Sequence, residues 1–291
     1  MDVSIIIVNW NTREILSDCL RSVYEQTSNI DFEVIVVDNK SSDGSVNMVK
    51  NNFPWVLLLE NNINRGFAAA NNQGIEISKG RYVLLLNSDT VVLDKAIEKT
   101  IAFAEVHPKA AVVGCKVLNP DRSLQSSCFM LPSILNLTLW VTYLYKLFPK
   151  SSFFGRERMN WWDRDSVMDV DVITGCFMLV RREAIEQVGT MDEQFFMYFE
   201  ETDWCYRFKQ AGWMNVFMPE AEIIHLGGAS SRQVRIKTVN QWRKSMLLFY
   251  KKHKSFLAYI TAWILITLFF LTRVPYWWFK RILTKYVVNK Q

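Results

Sequence analysis

The chain has 291 residues, half of them hydrophobic and 14% aromatic, with 34 Lys+Arg against 29 Asp+Glu. That length carries one large α/β domain or two ordinary ones, and 22% charged residues among abundant large apolar types exclude a disordered, collagenous or disulfide-scaffold protein. The charge is unevenly spread: residues 231–291 hold 13 Lys+Arg and no Asp or Glu, against 21 basic and all 29 acidic residues before them, a net of −8.

Ser4 to Val8 is a short continuous apolar run, which predicts a strand buried on both faces. Ile15, Leu16, Cys19, Leu20 and Val23 then recur at helical spacing. The alternation repeats: strands over Phe32 to Val37, Val56 to Leu59 and Tyr82 to Leu86, with Ser42-Asp43-Gly44 able to cap the helix after the second. Helices are predicted from about Gly66 to Ser78 and near Asp94 to Glu105. Strands and helices in that rhythm imply right-handed βαβ units and a mostly parallel sheet, whose ligands bind outside the carboxyl ends of the strands. The polar residues expected there are Asn9-Trp10-Asn11, Asp38-Asn39 and Asn87-Ser88-Asp89.

Two stretches depart from this pattern. Phe129 to Phe154 is apolar and aromatic, a helical insertion or a flap. Phe256 to Thr272 is 17 uncharged residues, roughly 26 Å as a helix and near the lower limit for crossing a bilayer. Lys251, Lys252 and Lys254 precede it and Lys280, Arg281 and Lys285 follow, so positive charge at both ends assigns no single crossing. A hairpin broken near Pro275, or helices lying in the interface, fits at least as well. An acidic body with a basic end suggests an anionic partner for that end. The long apolar run inside it favours an anionic membrane surface over nucleic acid, for which no recognition motif is present.

Cys19, Cys115, Cys128, Cys176 and Cys205 are scattered without a C-x-x-C pair, which disfavours zinc and a disulfide framework and fits a reducing compartment. The opening Met1-Asp2-Val3-Ser4 lacks the basic region and cleavage site of a secretory signal.

The most informative stretch is Leu84 to Thr90, where a buried strand ends in the carboxylate of Asp89. An isolated Asp there could simply cap the next helix. Val36 to Gly44, however, ends the second strand the same way, and Asn64 to Gly74 opens a helix with small residues and amides suited to close approach by a phosphate or sugar. With Thr174 to Arg182, Phe195 to Asp203 and His225 to Ser230 following in order, residues 2–230 resemble the family-2 glycosyltransferases with a GT-A fold. Within that family the chain is most similar to the bacterial rhamnosyltransferase-like branch that builds surface polysaccharides.

The resemblance implies an α/β GT-A catalytic domain over 1–230, a Rossmann-like mostly parallel sheet flanked by helices, followed by a helical membrane-associating region over 231–291. It implies an inverting transferase that moves a sugar, first expected to be L-rhamnose from dTDP-L-rhamnose, to a polyprenyl-diphosphate-linked glycan at the cytoplasmic face of the cell membrane. Asn9, Asp38, Asn64, Gly66, Asn71, Asn87 and Ser88 would bind the nucleotide-sugar. Asp89 and His225 would hold Mg²⁺ or Mn²⁺, the imidazole tilting the choice towards Mn²⁺. Asn87 stands at the first position of the family's Asp-x-Asp signature, leaving one carboxylate there.

Glu200, Glu201 and Asp203 follow an aromatic run, and in the family the base is the second acid of a pair at this place, which matches Glu201. On a helix Glu200 and Asp203 share a face and Glu201 points elsewhere. Crowded carboxylates in aromatic surroundings raise one another's pKa, as a base working near neutrality requires. Arg181-Arg182 could bind diphosphate or merely start a helix, and Trp161-Trp162 fits core packing better than sugar stacking. Other readings are a transferase using another nucleotide-sugar and a membrane-tethered scaffold without activity. A nucleotidyltransferase or epimerase would want a glycine-rich loop after the first strand, and Asn9 to Arg13 contains no glycine.

Overall fold

The structure is a computed structural model and describes residues 1–228 and 235–288. The N-terminal part is β1 (Val3–Asn9), α1 (Arg13–Gln26), β2 (Phe32–Asp38), α2 (Ser45–Asn52), β3 (Leu57–Glu60), α3 (Phe67–Ile77), β4 (Tyr82–Asn87), β5 (Thr90–Val92), α4 (Ala96–Val106) and β6 (Ala110–Leu118). There follow β7 (Cys128–Phe129), α5 (Ile134–Val141), α6 (Leu144–Leu147), β8 (Met168–Val170), β9 (Val172–Ile173), β10 (Phe177–Arg181), α7 (Arg182–Val188), α8 (Glu200–Gln210) and β11 (Met214–His225). The C-terminal helices are α9 (Arg235–His253) and α10 (Phe256–Val288).

Among the described residues the main sheet runs β3-β2-β1-β4-β10-β6-β11-β5, with β8 added on β11. The first four strands are parallel, as the sequence predicts, and β6 is parallel to β11. Between β4 and β6 lies β10, antiparallel to both. Alternation along the central strands explains their unbroken apolar runs. Ile5, Ile7, Leu84 and Leu86 pack beneath α1 and α4, while Ile6, Ile35, Val37 and Leu85 pack on the other face with residues of α3, α7 and α8. The register pairs Asn9 with Asp38 and Val8 with Asn87, so the predicted polar residues end side by side at one edge.

Phe129 to Phe154 is partly helical, carrying α5 and α6, and it forms a third apolar cluster with the C-terminal helices: Leu137 against Met246, Tyr250, Ala262 and Ile266. Polar contacts fix α9 to the body as well. Ser245 Oγ donates to the Met197 carbonyl at 2.8 Å, Lys252 pairs with Asp192, and His253 Nε2 lies 2.6 Å from Asp203 Oδ1. The second oxygen of Asp203 accepts from Arg207 Nε at 2.7 Å.

α10 continues as one helix through Pro275 rather than breaking there, although an interior proline removes a hydrogen bond and crowds the preceding turn. Its Ala262, Ile266 and Phe269 are buried, while Phe256, Leu257, Ile264, Leu268 and Leu271 are exposed. It is therefore apolar on its packed and its open faces alike. No helix among the described residues is long and apolar enough to cross a membrane. The side chains of Lys280, Arg281 and Lys285, and Ala229 and Ser230 at the end of the last motif, lie outside the described residues.

Replacing His253 by alanine removes one of two partners from a buried carboxylate. We expect His253→Ala to lose about 2 kcal/mol of stability, read as a lower urea midpoint at unchanged slope; an unmoved midpoint would mean that this contact does not hold α9.

Candidate active site

The strand ends are tied together first by a line of short polar side chains. Asn9 Nδ2 donates to Asp38 Oδ1 at 2.8 Å, Thr12 Oγ1 donates to Asn9 Oδ1 at 2.6 Å, and Thr12 and Ser88 hydroxyls meet at 3.0 Å. The other oxygen of Asp38 accepts the Ser41 amide at 2.8 Å. Asn9 and Asp38 are buried, so their polarity is spent aligning β1 with β2. The neighbour Asn39 reaches further, donating from Nδ2 to the Gly66 carbonyl at 3.0 Å and lining the cavity above the sheet.

That cavity, of about 800 Å³, opens at the carboxyl ends of β1, β2 and β4. Asn64, Gly66, Asn87, Ser88, Asp89, Glu200, Glu201 and His225 all line it. Asn9, Asp38, Asn71 and Asp203 are not among its lining residues. Asn71 is buried and donates to the Phe67 carbonyl one turn back in α3, and Asp203 is held by Arg207 and His253. Arg181 and Arg182 donate to backbone carbonyls, among them Ala104, Ala110 and Gly80, and act as struts. Trp162 is buried against Phe217 while Trp161 is exposed.

Gly66 has φ +86°, and a Cβ there would collide with the Phe196 carbonyl oxygen. The same oxygen accepts from the Phe67 amide at 2.7 Å. The glycine thereby lets the start of α3 touch the aromatic run leading into α8. That run ends with Tyr198 and Phe199 at φ 67° and 70°, a left-handed conformation costing bulky residues roughly 1–3 kcal/mol each. Glu200 and Glu201 follow at the first turn of α8 and face the cavity. Burial pushes the Glu200 carboxyl well above the usual range, with the charge of Glu201 adding to it, and Glu200 Oε2 is buried without a partner. Burial also pushes Glu201 up to about 7, against the lowering effect of local amides.

Across the cavity, His225 Nε2 lies 3.1 Å from Asp89 Oδ1 and 3.3 Å from Asn87 Nδ2. The other ring nitrogen, Nδ1, is 2.7 Å from Gln125 Oε1. Gln125 Nε2 is engaged with Asn119 Oδ1 at 2.8 Å and the His225 carbonyl at 3.2 Å, so its oxygen must face the ring and accept from Nδ1–H. The Nε2 lone pair is then directed at the Asn87 amide and the Asp89 carboxylate. A carboxylate oxygen and an imidazole nitrogen 3.1 Å apart fit part of the donor set of a divalent cation. No third His, Cys, Asp or Glu joins them among the described residues, so the remaining ligands of such an ion would come from water or substrate. Gln125 has no distinguishing signal in the sequence; it sits in an irregular stretch, and only the fold brings it to the ring.

Residues 4–189 match the family described as glycosyl transferase family 2. The chain is 29% identical over 205 residues to an N-acetylglucosaminyl-diphospho-decaprenol L-rhamnosyltransferase of Mycobacterium tuberculosis, a match spanning 66% of this chain and 66% of that relative. It is 23% identical over 304 residues to a low-salt glycan biosynthesis hexosyltransferase of Haloferax volcanii, covering 94% of this chain and 87% of the other. Among solved structures it is similar to a mannosyltransferase from Pyrobaculum calidifontis in complex with GDP-Man and Mn²⁺, with a TM-score of 0.59 and 17% identity over 92% of this chain and 69% of that one. At that identity the likeness establishes the fold, which is GT-A.

The contact at Gly66 gives a direct test of how the cavity is built. Gly66→Ala should lose about 1–3 kcal/mol, seen as a fall in the thermal midpoint, because the methyl group adds strain at a positive φ and displaces Phe196; an unchanged midpoint would mean that the two segments do not need to touch.

Proposed function

We propose that this chain, which belongs to glycosyl transferase family 2 and is a glycosyltransferase, moves a sugar from a nucleotide-sugar to a lipid-linked glycan with inversion at the anomeric carbon. The observation that carries the reading is that Asp89, His225 and Glu201, its carboxyl at about 7, line a single cavity. The donor class proposed first is dTDP-L-rhamnose, and the acceptor a sugar on polyprenyl diphosphate, as the mycobacterial relative's name suggests.

In this mechanism Asn39, Asn64 and Gly66 receive the nucleotide end of the donor, and Asp89 with His225 would hold Mg²⁺ or Mn²⁺. The cation supplies positive charge for the diphosphate as it leaves. Gln125 keeps a proton on Nδ1 and so leaves Nε2 free to act as a ligand. Glu201 accepts the proton of the acceptor hydroxyl while that oxygen bonds to the anomeric carbon and the bond to diphosphate breaks on the opposite face. Burial and the charge of Glu201 beside it drive Glu200 towards its neutral form, and burial raises Glu201 to about 7.

The open face of α10 supports attachment at the cytoplasmic surface of the cell membrane. Exposed Leu257, Ile264, Leu268 and Leu271 would enter the interface, and the basic residues beside them would meet anionic headgroups, at about 1 kcal/mol each.

Purified protein with Mn²⁺ or Mg²⁺ and a panel of nucleotide-sugars should release nucleotide faster when a prenyl-diphosphate-linked sugar is added; no release with any donor would sink the reading. Asp89→Ala and Glu201→Gln should each lower transfer by about 10²–10⁴. Because the base works ionised, kcat/KM should rise with pH and level off above about 7, and a profile flat from pH 5 to 8 would remove Glu201 from that role. For attachment, Ile264→Asp with Leu268→Asp should abolish sedimentation with anionic vesicles while leaving the unfolding midpoint in place; continued sedimentation would assign membrane binding elsewhere.

A further inference from the structure

A second cavity, of about 230 Å³, lies on the other side of Glu201. It is walled by the insertion between β7 and β8, by the start of α8 and by α9. Phe129, Tyr198 and Glu201 border both cavities, so Glu201 stands in the partition between them.

The chemistry of this chamber is unlike a core void, because engineered or natural empty cavities are apolar. Tyr250 and Asn136 line it and are 1% and 3% exposed. The hydroxyl of Tyr250 and the Oδ1 of Asn136 are buried without a hydrogen-bond partner. The amide nitrogen of Asn136 is engaged with the Leu131 carbonyl at 3.1 Å, which leaves its oxygen as the vacant acceptor. Glu157 also lines the chamber, and burial pushes its carboxyl up to about 7. Buried polar atoms are as a rule hydrogen-bonded, so two unmatched ones beside a single chamber point to a polar occupant. Trp140 and Trp242 complete the walls with apolar ring surface.

An acceptor oxygen, a hydroxyl and a carboxyl able to donate or accept, set among aromatic rings, make a complement for a sugar ring. A prenyl chain would leave every one of those groups unpaired. We propose that this chamber holds the terminal sugar of the acceptor, with Asn136, Glu157 and Tyr250 hydrogen-bonded to its hydroxyl or amide groups and the reacting hydroxyl presented to Glu201. The proposal rests on the reading of Glu201 as the base. It makes α9 part of the acceptor site, since Tyr250, Met246 and Trp242 come from that helix.

The test is equilibrium binding to the full chain, by calorimetry, of two probes: N-acetylglucosamine linked through diphosphate to a short prenyl chain, and the same prenyl diphosphate without sugar. Glu157→Gln and Tyr250→Phe change one polar group each and keep the packing volume. The wild type should bind the sugar-bearing probe more tightly than the bare one, and each variant should bind the sugar-bearing probe about tenfold more weakly, with affinity for free nucleoside diphosphate unchanged. Equal affinity for the two probes, variants that bind like the wild type, or no saturable binding would overturn the assignment. Nucleotide release from donor alone is recorded in parallel. Its absence would count against the donor chemistry, whereas the probe titrations judge the chamber by themselves.

Discussion

The site depends on one close approach of backbone to backbone. The Phe196 carbonyl accepts from the Phe67 amide and lies where any side chain at position 66 would have to go. Asn39 holds the Gly66 carbonyl from the end of β2, so the contact joins the strand ends to the segment that delivers Glu200 and Glu201. Two groups of cavity-lining residues, at the strand ends and at the start of α8, are therefore linked by this junction. Strain at Tyr198 and Phe199 follows from the same demand: the chain must reverse sharply between that junction and the first turn of α8. Strained residues persist only where surrounding structure over-determines them. Here the Phe67 amide and Ser245 hold the Phe196 and Met197 carbonyls before the strained pair, and the Asp203 amide holds the Phe199 carbonyl after it.

Burial then differentiates three neighbouring acids. Asp203 is the most enclosed, yet each of its two oxygens has a partner, Arg207 and His253. Glu200 is enclosed without such a partner and is driven towards the neutral form. Glu201, at the boundary of two cavities, is raised only to about 7. A carboxyl poised there changes protonation at the pH where a base must do so, and a neutral Glu200 beside it adds no opposing charge. The helix positions set which acid meets which surroundings, and the surroundings set the chemistry.

Much of this was legible in the sequence where information is local. The strands at Ser4, Phe32, Val56 and Tyr82 emerge within about a residue of their expected limits; three are apolar runs buried on both faces, and the remaining one, β3, is a partly exposed edge strand marked by its short apolar run alone. Asn87, Ser88 and Asp89 could be placed at the cavity because a strand must end before its ligand site begins. Which way a strand-end side chain turns is not local information. Asp38 looks inward because the register sets Asn9 beside it, and Asn39, one residue on, takes the place at the cavity. The antiparallel β10 was equally hidden, since its partners β4 and β6 lie far away in the chain and its own five residues carry no sign of direction. Asp203 shares a helix face with Glu200 as the spacing predicts, but His253, fifty residues later, withdraws it from the cavity.

That last contact changes the meaning of the charge split between an acidic body and a basic end. A segment that served only for attachment would need no specific partners on the body. Instead Lys252 pairs with Asp192, His253 with Asp203, and Ser245 caps the Met197 carbonyl, all within α9. These groups meet the segments immediately before and after the strained turn. The basic end therefore has two parts with different physical roles. α9 spends its polar groups on the catalytic body and closes the chamber behind Glu201, while α10 carries exposed apolar surface that the body does not cover. The two helices are joined by only Lys254 and Ser255, and Ala262 and Ile266 of α10 pack directly against Met246 and Tyr250 of α9. The chamber behind Glu201 and the uncovered apolar surface thus lie on consecutive helices of the basic end.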